Sequence, residues 1–262
     1  MMIILIMLEG CHFQQGATTI AGFEMIGVEG GNFDMGEPAL DKGEADEKPV
    51  HSVTLSNFYI GKTEVTQKQW YDIMGSLPRR LIFGRGDNYP VYNVSWDDIQ
   101  IFLKKLKKKT GKKFRLPTEA EWEYACRGGK YSPNYKYSGS NELSTVAWYC
   151  VNSGKNQLKD EEYSYDSLME NNCATHPVAT LKSNELGIYD MTGNVWEWCS
   201  DLYGEYPSSP QKNPAGKPKG LDHVIRGGGL ADMSCICRIS NRGKANHNTR
   251  TCDLGFRLAL SQ

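Results

Sequence analysis

Residues 115–125 read RLPTEAEWEYA and carry the clearest structural signal in the chain. Thr118 can accept a hydrogen bond from a free backbone N–H at the start of a helix, and Glu121 can bond back to the backbone of Thr118, which is the capping-box pattern. Trp122 and Ala125 then fall on one helical face. The sequence therefore predicts a helix that begins after Thr118 and ends at the glycine pair that follows.

The same capping pattern occurs twice upstream. Thr66 pairs with Gln69 and opens a helix that ends at Gly75, and Ser95 pairs with Asp98 and opens another. The apolar residues at helical spacing are Trp70, Ile73 and Met74 in the first, and Ile99, Phe102, Leu103 and Leu106 in the second. The sequence thus predicts three helices in a chain of 262 residues, whose 27 Gly and 11 Pro favour turns and short elements.

Apolar patterns around these helices predict strands. Residues 24–28 and 32–36 flank a glycine turn and predict a β-hairpin, and residues 50–60 predict one long strand. Residues 131–172 are polar and predict mostly loop. Shorter β-like segments lie at residues 187–191, 195–198, 223–226 and 256–260. With no internal repeat and no clear linker, the chain predicts one α+β domain.

Composition and charge exclude some classes of function. The net charge is −1, so no overall field attracts nucleic acid, and we expect no nucleic-acid partner. No apolar run approaches the roughly 20 residues that a membrane-spanning helix needs. Of the eight cysteines, seven remain if Cys11 is set aside, and no pair has the CxxC spacing. We expect scattered thiols with one disulfide at most.

The amino end carries a possible anchor. Residues 1–8 are apolar, and residues 8–11 (LEGC) resemble the lipobox of bacterial lipoproteins, in which Cys11 is acylated. The apolar run is short and lacks a preceding Lys or Arg, so an apolar start with a chance cysteine is the alternative. The resemblance implies a signal, lipobox and tether over residues 1–22 before a domain over residues 23–262. It also implies a lipid anchor at the outer surface of a bacterial cell envelope.

Several ordered segments resemble the formylglycine-generating-enzyme, or sulfatase-modifying factor, family, whose fold is C-type-lectin-like. Besides RLPTEAEWEYA, the matching segments are GGNFDMG at 30–36, EVT at 64–66, PVYNVSW at 90–96, GNVWEW at 193–198, RGG at 226–228 and LGFR at 254–257. The resemblance covers residues 24 to 260. It implies a single α+β domain of C-type-lectin-like fold with much irregular structure, and by itself it does not fix the function.

The enzymatic activity of the family depends on a pair of cysteines. Members that oxidise a substrate cysteine carry two, five residues apart, after the RGG segment, and those places hold Asp232 and Cys237 here. One thiol cannot form a pair that binds copper or cycles through a disulfide, and Cys235 is too close to replace the missing one. We therefore expect no enzyme activity and assign no catalytic residue. An oxidative enzyme that uses Cys237 differently, and a structural component of an envelope or secretion machine, are the alternatives.

Residues 226–257 also resemble the variable region of proteins diversified by diversity-generating retroelements. In such regions a fixed skeleton alternates with positions whose adenine-rich codons mutate. The skeleton residues here are Arg226, Gly227, Gly228, the run from Cys237 to Arg242, Arg250, and the run from Leu254 to Arg257. The positions that the resemblance assigns to ligand binding are Leu230, Ala231, Asp232, Ser234, Cys235, Ile236, Gly243, Ala245, Asn246, Asn248, Thr249, Thr251, Cys252 and Asp253.

This assignment has a physical rationale. Skeleton arginines can form forked hydrogen bonds to carbonyls and carboxylates and so hold the loops in place. Outward side chains can then change at little cost, since surface substitutions usually alter stability by less than about 0.5 kcal/mol. We expect a protein or glycan ligand. The alternative is that residues 229–253 form an ordinary surface loop.

One metal site is implied by the family resemblance. Asn194 and Glu197 offer side-chain oxygens and Val195 a carbonyl to a structural Ca²⁺, which needs at least six oxygens. The alternative is that Asn194 and Glu197 satisfy backbone groups beside buried Trp196 and Trp198. We expect no other cofactor.

Overall fold

Three of the four α-helices begin at the predicted capping boxes. The structure, a computed structural model, describes residues 13–37, 43–160, 164–217 and 219–262. Its α-helices are Gln67–Met74 (α1), Trp96–Thr110 (α2), Glu119–Cys126 (α3) and Tyr165–Glu170 (α4). The boxes at Thr66, Ser95 and Thr118 are all formed, which confirms the three predicted helices. Gly75 ends α1 with a φ of 83°, a left-handed conformation that glycine adopts without strain.

The strands of the described chain are short and form three sheets. They are Gly16–Ile20 (β1), Phe23–Val28 (β2), Asn32–Met35 (β3), His51–Thr54 (β4), Phe58–Gly61 (β5), Trp196–Leu202 (β6), Gln211–Lys212 (β7), Asp222–Arg226 (β8), Gly243–Asn246 (β9), Leu254–Gly255 (β10) and Ala259–Ser261 (β11). The strand orders are β1-β2-β5-β11, β10-β6-β8-β9 and β3-β4-β7. Mixed sheets with few helices confirm the predicted α+β class. Residues 187–191, predicted as a β-like segment, form no strand.

The predicted hairpin is wrong. β2 pairs with β1 and β5, whereas β3 pairs with β4 in another sheet. The predicted long strand over residues 50–60 is likewise divided between β4 and β5. Both segments cross between the two sheets at the same place, where the Leu55 N–H donates to the Gly31 carbonyl at 2.9 Å. A Cβ atom on Gly30 would lie 2.2 Å from the Leu55 carbonyl oxygen, so the close crossing requires glycine.

The domain begins earlier than residue 23. Gly16 and Ala17, predicted as part of a flexible tether, belong to β1, where Gly16 lies opposite Gly27 in the antiparallel pair with β2. Cys11 and the rest of the predicted lipobox lie outside the described residues. Within the described ranges, no helix has both the length and the apolar character needed to cross a membrane.

The cores are apolar and contain most of the described thiols. One core cluster includes Trp122 of α3, a second includes Trp198 of β6, and a third includes Cys150, Leu230 and Cys237. The third lies directly below the carboxyl-terminal segment. The cysteines at 126, 150, 173, 199, 235, 237 and 252 are all free thiols, so the single disulfide that the sequence left open is not formed among them.

Candidate ligand-binding surface

Both ends of residues 226–257 pair with the same strand, β6. β8 is antiparallel to β6 and places Arg226 opposite Glu197. β10 is parallel to β6 on its other side and places Gly255 opposite the same Glu197. β9 pairs with β8 at the edge of the sheet. The segment therefore has both ends fixed to β6, and apart from β9 most of the residues between them form loops.

Two fully buried arginines hold these ends. Arg257 donates to both carboxylate oxygens of Glu197, at 2.6 Å each, and also to the Gly61 carbonyl at 3.0 Å. Arg226 binds the carboxylate of Glu123 in α3 and donates to the Ser240 carbonyl at 2.8 Å. Both guanidinium groups are 0% exposed. Forked contacts of this kind fix direction as well as distance.

Three further arginines attach the loops to earlier parts of the chain. They are Arg238, bound to Glu47 at 2.5 and 2.7 Å; Arg242, bound to Glu119 at 2.6 and 2.9 Å; and Arg250, bound to Asp98 at 2.8 and 2.9 Å. All three are skeleton positions of the predicted variable region. Their carboxylate partners all lie outside residues 226–257, so each of these arginines ties the loops to the rest of the fold.

Two of the buried carboxylates among these partners, those of Glu123 and Glu47, remain ionised. Burial acts to raise the pKa of Glu123, but the positive charges of Arg127 and Arg226 outweigh it and leave the pKa below its ordinary value. Burial likewise opposes ionisation of Glu47, and its hydrogen bonds, led by that from Arg238, lower its pKa overall. The ion pairs therefore exist at neutral pH.

The predicted ligand-binding positions differ in exposure. Those fully exposed are Cys235, Asn248, Thr251 and Cys252. Those half-buried are Ala231, Asp232, Ser234, Ile236, Gly243, Ala245, Asn246, Thr249 and Asp253. Leu230 is buried, with 3% of its surface exposed. Most of the positions therefore present some side-chain surface to solvent, and the exposed ones fall in two groups, around residue 235 and over residues 248–252.

Two of the assigned positions are corrected by the structure. Leu230 packs in the third core cluster, and its carbonyl accepts the hydroxyl of Ser153 at 2.8 Å, so its side chain does not face a ligand. Gly243 lies against the ring of Trp196. A Cβ atom there would be 2.9 Å from that ring and 2.8 Å from Ile225, so a larger residue would displace its neighbours.

Trp196 forms a hydrogen bond to a residue beside each of the two groups, Asp232 and Asp253. Its indole N–H donates to Asp232 Oδ2 at 2.7 Å, and the same oxygen accepts the Gly229 N–H at 2.8 Å. Asp253 lies close to Gly229, since a Cβ atom on Gly229 would be 2.8 Å from Asp253 Oδ2. Burial and then the charge of Asp253 raise the pKa of Asp232 to about 6. Trp196 and the two aspartates thus form a shared floor for both groups.

The two positions at which the family's enzymes carry their cysteine pair hold Asp232 and Cys237 here, which do not form a reactive pair. Cys237 is fully buried, and burial raises the pKa of its thiol well above the ordinary value, with Asp232 adding to the effect. A neutral buried thiol is a poor nucleophile and a poor metal ligand. The partner place holds Asp232, which is bonded to Trp196.

The residues of the predicted calcium site have other partners. Glu197 is bound by Arg257 through both oxygens and also accepts the Trp122 indole N–H at 2.8 Å. Asn194 Oδ1 accepts the His176 N–H at 2.9 Å, and its amide donates to Glu64 at 3.1 Å. No group of three or more His, Cys, Asp and Glu side chains in the described parts of the chain is placed to hold a metal.

This geometry favours the alternative, in which Asn194 and Glu197 satisfy neighbouring groups. Calcium binding through Asn194, Val195 and Glu197 stays a prediction, and it requires Glu197 to leave Arg257. Trp198 is fully buried, as the sequence indicated, whereas Trp196 is half-buried beneath the predicted positions.

Fold and site together define a C-type-lectin-like protein of the formylglycine-generating type that carries an arginine-fixed carboxyl-terminal segment. The chain belongs to the family of the sulfatase-modifying factor enzyme 1-like domain, whose model matches residues 13–262. This match also places the start of the domain well before residue 23.

Similar proteins with different names share this architecture. The Chaperone protein LppX of Paenibacillus barcinonensis is 35% identical, with 94% of this chain and 92% of the relative covered. The formylglycine-generating enzyme of Streptomyces coelicolor is 29% identical over 89% of this chain and 88% of its own. The solved structure of Treponema denticola variable protein 1 superposes with a TM-score of 0.78 at 29% identity, covering 94% of this chain and 98% of that one. The proteins that this chain resembles thus include both an enzyme and a variable protein.

Proposed function

We propose that this protein is a ligand-binding lipoprotein of the bacterial cell surface, whose segment 226–257 is diversified by a retroelement. The observation that carries the proposal is the separation of roles within that segment. Its five arginines bind carboxylates elsewhere in the chain, while positions such as Cys235 and Thr251 are exposed and carry no anchoring contact to the rest of the fold. The likeness to the Treponema variable protein supports the same role.

The ligand is a protein or glycan, bound by a surface whose backbone stays in place while its side chains change. Recognition of this kind is efficient because a preformed backbone loses little conformational freedom on binding. In this proposal, a lipid on Cys11 attaches the protein to the membrane.

A genomic observation tests the diversification. The proposal expects a near-copy of the coding segment for residues 229–257 close to the gene, differing from it mainly at adenines, and beside a gene for a reverse transcriptase. A locus without such a copy in any sister strain would remove the diversification and leave only a binding surface.

The proposal also includes the absence of oxidase activity. An assay on a sulfatase peptide with copper and oxygen should show no formylglycine, because Asp232 and buried Cys237 do not form a cysteine pair. Turnover that the substitution Cys237→Ser abolishes would instead establish the oxidative enzyme.

A chaperone role for a partner protein is the second candidate, and the 35% identity to a relative of that name favours it. It predicts a stable complex with one partner and an unchanging segment over residues 230–253 in sister strains. These two readouts distinguish it from a diversified binder.

A further inference from the structure

A second concave site lies between the amino end of α3 and the end of β6. It is a cavity of about 380 Å³ whose apolar wall includes Met35, Ala120 and Tyr206. None of the positions that the sequence assigned to ligand binding lines it. A cavity of this size fits a small molecule rather than a segment of another protein.

A buried carboxylate of the lining has an oxygen free to accept. Asp201, at the end of β6, is 3% exposed. Its Oδ2 accepts the Glu119 backbone N–H at 3.1 Å and the Ser200 hydroxyl at 2.9 Å. No donor among the described residues reaches Oδ1. This oxygen is open to the cavity, where a ligand or solvent can donate a hydrogen bond to it.

A buried imidazole of the same lining also presents an acceptor. His51 of β4 is 5% exposed, and its Nδ1 lies 3.1 Å from the Pro49 carbonyl oxygen. A carbonyl oxygen only accepts, so Nδ1 carries the hydrogen, and in this tautomer Nε2 is an acceptor. No described residue donates to Nε2. Asp201 Oδ1 and His51 Nε2 can therefore both accept a hydrogen bond from a ligand.

The cations of the cavity are already used or lie at its mouth. Arg242 binds Glu119 and donates to the Asp46 carbonyl at 2.8 Å, so its charge is neutralised by a carboxylate of the same lining. Lys217 is exposed at the rim, where Glu205 carries the opposite charge. Among the described residues, the carboxylate of Asp201 is thus the buried charge of the cavity that has no ion-pair partner.

We propose that this cavity binds a small organic cation, an ammonium or guanidinium compound, with Asp201 as its counter-ion and His51 as a second acceptor. The apolar wall formed by Met35, Ala120 and Tyr206 then accommodates the hydrocarbon part of the ligand. This site does not depend on the role of residues 226–257.

The charge state of Asp201 makes the binding depend on pH. Burial and then the charge of Glu119 raise the pKa of Asp201 to about 7, and Glu121 acts in the same direction. The other charged groups facing the cavity are Arg242, which Glu119 neutralises, and the exposed rim pair. Because the carboxyl group ionises as pH rises through its pKa, the affinity for a cation increases from about pH 6 to about pH 8.

Saturation-transfer NMR on the full chain tests the proposal with n-butylamine as the probe. Its matched controls are n-butanol, which is neutral, and butyrate, which is an anion. The tripeptide Gly-Lys-Gly forms a separate arm and distinguishes a free amine from a lysine side chain of another chain. We expect transfer to the amine and not to the two controls, with several-fold more transfer at about pH 8 than at about pH 6. Transfer confined to the tripeptide would overturn the small-molecule ligand.

Two substitutions locate the binding. Asp201→Asn keeps the acceptor for the Glu119 N–H but removes the charge, and it should abolish transfer to n-butylamine. Glu170→Gln, at an exposed carboxylate of α4 outside the cavity lining, should leave the transfer within twofold of wild type. Circular dichroism of both variants controls for folding, and the pH profile of the wild type needs no substitution. Equal transfer to n-butylamine and n-butanol, or an undiminished signal from a folded Asp201→Asn variant, would overturn the proposal.

Discussion

Within residues 226–257, two sets of side chains share one backbone but have opposite environments. The skeleton arginines face earlier elements of the fold, and four of them, Arg226, Arg238, Arg242 and Arg257, are buried. Cys235, Asn248, Thr251 and Cys252 face solvent. The difference shows that the loops are fixed mainly by contacts that leave the exposed side chains free to vary. Stability and recognition are therefore assigned to different residues.

The largest effect should follow from breaking a buried anchor. Arg257→Met leaves the carboxylate of Glu197 buried without its cation, and we expect the free energy of unfolding to fall by about 3–5 kcal/mol. Chemical denaturation measures it.

The double variant Arg257→Met, Glu197→Gln should recover part of this loss, because the unpaired charge is gone. Arg250→Met removes an exposed pair with Asp98 and serves as the matched control, with an expected loss of at most about 1 kcal/mol. Equal losses for Arg257→Met and Arg250→Met would contradict the role of burial.

A smaller loss of stability should distinguish Leu230, which was wrongly assigned to ligand binding, from Cys235, which is exposed. Leu230→Ala creates a cavity in the third core cluster, so we expect a loss of about 2–4 kcal/mol. Cys235→Ala, five residues later and exposed, should change stability by less than about 0.5 kcal/mol. Thermal melts of both variants make the comparison. A tolerated Leu230→Ala would return that residue to the ligand-binding set.

The sequence predicted the parts of the fold that local physics decides. The three capping boxes each need only residues three positions apart, and all three are formed. The hairpin over residues 24–36 failed because Gly30 is needed for a close crossing with Leu55, a contact that no local pattern contains. Strand pairing depends on such distant contacts, so it could not be read from the turn alone.

The skeleton arginines were predicted, but their partners were missed. Glu119 and Glu123 lie one turn apart on α3, a helix whose residues are all buried. Two acids on such a helix must meet cations, and that signal was present in RLPTEAEWEYA once the helix was known to be buried on every side. The packing of Leu230 and the closeness of Gly243 to Trp196 depend on tertiary contacts and could not be predicted.

The pH dependence of stability should distinguish the carboxylates that bind the skeleton arginines from Asp201, whose pKa is raised. Glu47 and Glu123 have lowered pKa values, so their stabilisation is lost as pH falls through those values. Asp201 has a pKa raised to about 7, so its protonated form favours the fold and that stability is lost as pH rises through 7. Asp201→Asn should therefore stabilise the protein more at about pH 8 than at about pH 5, with a difference on the order of 2–3 kcal/mol. Urea unfolding at both pH values measures the difference, and an equal effect at both would contradict the raised pKa.

The smallest effect is expected at the exposed positions themselves. Asn248→Ala and Thr251→Ala should each change stability by less than about 0.5 kcal/mol, since neither side chain anchors the loop to another part of the fold. Their combination should be nearly additive. A combined loss above about 2 kcal/mol, measured by thermal melts, would show that these side chains hold the loop and would erase the contrast with the arginines.

Sequencing the coding segment for residues 226–257 across sister strains tests the separation of roles most directly. We predict substitutions concentrated at Cys235, Asn248, Thr251 and Cys252 and their half-buried neighbours, with the five arginines, Leu230 and Gly243 unchanged. Substitutions spread evenly over the segment, or an identical segment in every strain, would contradict a diversified recognition surface.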